Sequence, residues 1–168
     1  MTATELVVPE SLPVLVSALT RVDGIERRAC SRALQWWREL AAPRGIPSMS
    51  AVTEQSAGDL WPNLFILECA GSPGLSQFVY SGQVLRSALG HDAVGRTLAE
   101  IWPQEAFERA CFLHQSASEL LVPIDEAGRW SFPGEDIVYR CLLMPLSDDQ
   151  RHASHLLGAF SFRRFAYA

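Results

Sequence analysis

The sequence has no lysine: its 14 basic residues are all arginine, set against 19 acidic residues for a formal net charge of −5. An acidic whole lacks the field that draws a protein to nucleic acid or to anionic membrane, so neither is expected as a partner. No stretch approaches the ~20 apolar residues that a membrane-spanning helix needs. The first ten residues also lack the basic start and apolar run of a secretion signal, and the expected location is the cytoplasm. Cysteine is sparse and solitary. Cys30, Cys69, Cys111 and Cys141 form no CxxC pair, which removes a disulfide framework and gives no zinc-site spacing. Each reads as a reduced, small buried residue. A phosphate-cradling loop, a GxGxxG turn and a GxSxG nucleophile elbow are all missing. No catalytic residue and no metal site is assigned.

What is present suits one folded domain. The chain has 168 residues, 48% hydrophobic and 20% charged, enough to bury a core without disulfides or metals. Residues 1–24 read as a helical extension, with Ser11 as a cap and Leu12, Leu15, Val16 and Leu19 on one face. Residues 25–168 form the main domain. Asp23 and Glu26 have capping-box spacing. The helix they introduce carries Cys30, Ala33, Leu34, Trp37, Leu40 and Ala41 along one stripe, with Arg27, Arg28, Ser31, Gln35 and Arg38 opposite. Pro43, Gly45 and Pro47 stop it.

A dense apolar run over 62–70 predicts a buried strand, followed by a turn at Gly71 to Gly74 and a second strand over 75–81. Short helices are predicted over 83–89, at the capping box Thr97/Glu100, and from Pro103 to about 118. Strands are then predicted over 119–124, 137–146 and 156–163, with turns at 125–128 and at Pro133-Gly134. Pro145 suggests a strand end or bulge. The order predicts an α+β fold: a five-stranded antiparallel sheet with short helices on one face and an N-terminal amphipathic helix. Ile137, Tyr139, Cys141 and Leu143 alternate with Val138, Leu142 and Met144, so the sheet must be covered on both faces. The cover for the second face is the N-terminal helix or another subunit.

This order and several motifs resemble the PAS fold and a family of small stand-alone bacterial PAS proteins. The residues that carry the likeness are Trp37-Arg-Glu-Leu40 with Gly45-Ile-Pro47, and Trp61-Pro-Asn-Leu-Phe-Ile-Leu-Glu68. Phe78-Val-Tyr-Ser-Gly82, Leu89-Gly-His-Asp-Ala-Val-Gly-Arg-Thr-Leu98 and Tyr139-Arg-Cys-Leu-Leu-Met-Pro-Leu-Ser-Asp148 complete it. The resemblance implies a non-catalytic sensory or regulatory protein in bacterial signalling that binds a small molecule, a signalling partner or both. It also implies a homodimer formed through helices that flank the sheet. The reactive Asn-Cys-Arg-Phe-like run of the light-sensing relatives is missing, which excludes covalent flavin photochemistry.

Candidate ligand-binding residues are Phe78, Phe107, Cys111, His114, Tyr139 and Phe160, the aromatics being equally suited to plain core. No cofactor is assigned. A haem on His114 is the one left open by the resemblance, against a histidine at the core boundary held by backbone. Cys111 and His114, three apart on a helix, are at most half a metal site. Leu34, Trp36, Trp37 and Leu40 are the candidate interface. Two further readings stand beside the sensor: a small α+β enzyme with His91-Asp92 in a buried pocket, and an adaptor with a filled core.

Overall fold

The computed structural model describes residues 27–41 and 45–167. The helix expected near Ser11, the Asp23/Glu26 capping box and the extension over 1–24 lie outside these residues. Helix α1 (Arg27–Leu40) is amphipathic as its spacing dictates. Cys30, Ala33 and Trp37 are buried, whereas Arg28, Ser31, Gln35 and Arg38 are exposed.

After a short helix α2 (Glu54–Ala57) come strands β1 (Leu64–Glu68) and β2 (Gln77–Ser81), paired antiparallel. Helices α3 (Gln83–Leu89), α4 (Leu98–Ile101) and α5 (Gln104–Leu120) follow. Both bonds of the predicted capping box form at α4: Thr97 N–H donates to Glu100 Oε2 at 2.8 Å, and Glu100 N–H donates to Thr97 Oγ1 at 3.3 Å. Strands β3 (Ile124–Phe132), β4 (Glu135–Leu146) and β5 (His155–Ala166) complete the chain. All neighbours pair antiparallel, in the order β2-β1-β5-β4-β3.

Residues 119–128 depart from the sequence expectation. Residues 119–120 end α5 rather than begin a strand, and 125–128 lie inside β3 rather than in a turn. The polar Asp125-Glu126 and the glycine after them look like a turn in isolation. Gly128 instead answers a close approach: it pairs with Tyr139, and a Cβ there would stand 2.5 Å from the tyrosine Oη. A glycine in a strand often marks such an overlap.

Two apolar layers sandwich the sheet. Phe65, Leu67, Tyr139, Cys141, Leu143, Leu156 and Phe160 face α3, α4 and α5. Leu64, Ile66, Leu142, Met144, Leu146, Leu157 and Ala159 face the other way, against Cys30, Ala33 and Trp37 of α1. The two-sided cover predicted from strand parity is therefore supplied within the chain by α1. Trp37 fixes that docking, its indole N–H donating to the Pro145 carbonyl at 2.9 Å. Pro145 itself stays within β4, next to its last residue.

The tightest cross-strand fit is Phe65 on β1 against Gly158 on β5, which are paired in register. A Cβ on Gly158 would collide with the Phe65 ring. Gly158→Ala is expected to destabilise the fold by about 1–3 kcal/mol, the usual range for overpacking a close-packed core. Urea unfolding reads this as a lower midpoint; an unchanged midpoint would show that the ring is free to move aside.

Candidate functional site

On the helix-covered face, α4 and α5 leave a cleft against the sheet. Its walls are Phe65, Leu67, Leu98, Trp102, Ala110, Leu113, Ile124 and Leu143, with His114, Glu126 and Cys141 among them. The cleft has room for only about one water molecule, within a wider envelope of about 370 Å³ that includes open solvent.

His114 lies on α5 and is 2% exposed. Its Nε2 is 2.9 Å from Ser76 Oγ, on the residue just before β2. The Ala70 N–H donates to that same oxygen at 3.0 Å, which leaves the hydroxyl a second lone pair as well as its proton, so either tautomer of His114 satisfies the contact. Nδ1 has no partner from another described residue. Burial pushes the pKa of His114 down to about 4, against a smaller upward pull from its own main chain. It is neutral at ordinary pH.

Glu126 projects from β3 on the same face. Burial pushes its carboxyl up to about 7, opposed by the Arg109 charge and a bond from Tyr139. Arg109 Nε stands 3.8 Å from Glu126 Oε1, and Tyr139 O–H donates to that oxygen at 3.4 Å. The Trp102 indole N–H is also buried without a partner. An apolar cleft with a few placed polar groups is the usual form of a small-molecule site.

Of the six candidate ligand residues, only His114 lines this cleft. Tyr139 and Phe160 stack at 5.5 Å, and Trp130 stacks on Phe160 at 5.4 Å. They form an aromatic ladder across β3, β4 and β5, and Trp102 meets Trp130 edge-on at 5.0 Å. These rings fill the core rather than line a space. Phe78 packs against Phe65 at 5.7 Å, and Phe107 lies against Gly74. Cys111 is half-buried, its thiol pushed up by burial.

The residues present do not fit a haem, because His114 Nε2 is engaged by Ser76 and the closed space is too small. Among the described residues no group of three or more histidine, cysteine or acidic side chains could hold a metal ion. His91 and Asp92 are exposed, and Asp92 Oδ1 accepts the Val94 N–H at 3.1 Å. They build a solvated turn away from the cleft, so the buried His-Asp pocket is not formed. Trp37 is buried against its own sheet, while Leu34, Trp36 and Leu40 are half-buried beside it.

Glu126 was missed from sequence because it was read into a turn. The available signal was parity: Ile124, Glu126 and Trp130 fall on one face of a single strand. Ser76 gave no local signal at all, since its partner is 38 residues away.

A PAS domain family model matches residues 25–161, and the chain belongs to that family, whose domains are typical of sensory signalling modules. Similar solved structures include the PAS domain of BvgS from Bordetella pertussis, at 17% identity and TM-score 0.47, covering 60% of this chain and 76% of that one. The LOV domain of a blue-light activated histidine kinase from Erythrobacter litoralis aligns at 16% identity and TM-score 0.43, covering 62% and 95%. A sensory box sensor histidine kinase from Vibrio cholerae aligns at 12% identity and TM-score 0.43, covering 62% and 82%. No curated protein matched the sequence. No helix among the described residues is long and apolar enough to cross a membrane.

The cleft's two titrating groups act oppositely on stability. His114 falls from 6.5 to about 4 on folding, so its contribution is complete above 6.5 and is lost as pH falls toward 4. Glu126 rises from 4.5 to about 7, so its contribution is complete below 4.5 and is lost as pH climbs to 7. Each is worth up to about 3 kcal/mol, and the slopes oppose each other between 4.5 and 6.5. Glu126→Gln is expected to expose a loss of stability toward pH 4, and His114→Gln a loss from pH 4.5 to 7. Urea midpoints across pH check this; parallel profiles for both variants and the parent would contradict it.

Proposed function

We propose that this chain is a non-catalytic sensory module in bacterial signalling that takes a small molecule in the α4/α5 cleft and passes the event to α1. The observation that carries this reading is the cleft itself, an apolar space between α4, α5 and the sheet whose wall includes a neutral histidine, His114, and a carboxyl pushed up to about 7, Glu126. An apolar wall with a few placed polar groups is the usual form of a small-molecule site. A purely filled core, as an adaptor would have, leaves no such cleft.

The fold supplies a route outward. Cys141 faces the cleft while Leu142, its neighbour on β4, faces the layer under α1. A shift of β4 is therefore felt on both sides. The half-buried Leu34, Trp36 and Leu40 flank the docked stripe of α1 and are the residues proposed to meet a second copy or a signalling partner. Trp37 is not available for that role, being committed to Pro145. The protein is proposed to work in the cytoplasm as a homodimer.

Native mass spectrometry with a library of small fragments tests both parts together. The expected spectrum shows two chains and fragment adducts, and Ala110→Leu, which fills the cleft, removes the adducts while the dimer remains. A single chain at high concentration would contradict the dimer. Adducts unaffected by Ala110→Leu would contradict the site.

A further inference from the structure

The sheet order leaves two edge strands, β2 and β3, and the chain treats them differently. The outer edge of β2 is taken by residues at and just before the start of α4. Phe78 N–H donates to the Arg96 carbonyl at 2.9 Å, Gly95 N–H to the Phe78 carbonyl at 2.8 Å and Leu98 N–H to the Ser76 carbonyl at 2.8 Å. The outer edge of β3 has no such cover among the described residues. The tight hairpin at Pro133-Gly134 pairs Phe132 with Glu135, so Phe132, Trp130, Gly128, Glu126 and Ile124 bond inward to β4 and the residues between them bond outward. Ser131 obeys this parity, its N–H donating outward to Glu105 Oε1 on α5 at 2.6 Å. The outward N–H and C=O groups of Asp125, Ala127 and Arg129 have no partner among the described residues.

An unpaired edge is a template for another strand. We propose that the outer edge of β3 pairs antiparallel with the same edge of a second copy, in a register centred on Ala127. The proposal rests on the homodimer reading above and gives that dimer its surface, which leaves the flank of α1 to the signalling partner. A two-fold axis through Ala127 sets residue 125 opposite residue 129 of the other copy, and 127 opposite itself. Outward residues then meet outward residues, and each pair exchanges both of its N–H···O=C bonds. The stops of the ladder are symmetric about the same point. Pro123 has no N–H to give and Ser131 has given its own to Glu105, each four residues from Ala127.

Charge selects the same register. Asp125 of each copy faces Arg129 of the other, and opposite charges across a ladder stabilise it where like charges do the reverse. Arg129 already meets Asp136 of its own chain at 3.3 Å, yet its side chain is 64% exposed and has donors to spare. Moving the axis to Gly128 would set Asp125 against Ser131 and lose the match. The same axis places the α5 helices of both copies on one face of a continuous sheet. Arg109 reaches Glu126 of β3 at 3.8 Å and lies over the Phe112 ring at 5.9 Å, so Phe112, 60% exposed, stands on the flank of α5 nearest this edge. A second copy there covers it.

Sedimentation equilibrium of the full chain and of its Ala127→Glu and Ala127→Lys variants tests this. Ala127 is exposed, so both variants are expected to keep the urea midpoint of the parent. Each variant alone sets like charges against each other across the axis and is expected to raise the dimer dissociation constant at least about tenfold. Mixed in equal amounts, the two are expected to recover the affinity of the parent as a mixed dimer, because residue 127 faces itself in this register. Variants that dimerise like the parent, or a mixture that gains nothing over its components, would overturn the edge and its register while the homodimer reading stands. A parent that sediments as a single chain at high concentration would overturn both.

Discussion

The structure depends on one constraint: β1, β4 and β5 carry apolar side chains on both faces, so neither face can be left to water. Leu156 and Phe160 of β5 point toward the helices, and Leu157 and Ala159 point toward α1. Roughly 25 cal/mol for each Å² of apolar surface removed from water makes that double cover the main term holding the domain together. Everything functional follows from how the two covers differ. The α1 cover is close-fitting and pinned by the Trp37 indole. The other is assembled from short helices, and it is there that α4 and α5 leave a cleft.

The cleft joins opposite tendencies. Its walls are apolar, which depresses the basicity of His114 and the acidity of Glu126 alike, because burial disfavours whichever form is charged. His114 is therefore neutral at neutral pH, and Glu126 becomes so below it. The proposed site would meet a guest chiefly through hydrogen bonds. Arg109 beside Glu126 is the ion pair at the cleft; Arg140 with Asp125 at 2.7 Å and Arg164 with Glu135 at 2.6 Å tie neighbouring strands. Arg140 reaches both oxygens of Asp125, the forked contact that a planar guanidinium is shaped to make.

Much of the architecture was legible in the sequence, because strand parity, capping boxes and helix stops are local signals. The alternation through Ile137 to Met144 showed that two covers were needed, and the amphipathic stripe of α1 named one of them. The start of β3 was misread for a local reason: Asp125 and Gly128 are turn residues by type, and only the ring of Tyr139 across the ladder explains the glycine. The site was less legible. His114 stands out because it shares a helix face with Phe107 and Cys111, where the resemblance implies a ligand position. Tyr139 and Phe160 were open to either role, since aromatic spacing does not distinguish a wall from a packed ladder; here they stack in the ladder. Ser76, Trp102 and Glu126 come together from three separate segments, and no spacing rule links them.

The central claim is that the two covers are coupled through the sheet, so that filling the cleft is felt by α1. Hydrogen exchange of the α1 amides, Arg27–Leu40, measured in the parent and in Ala110→Leu, whose added side chain fills the cleft, tests it most directly. The account predicts a change in protection along α1, although residue 110 packs on the opposite face of the sheet. A change confined to α4, α5 and β3, with α1 exchanging identically in both proteins, would contradict it.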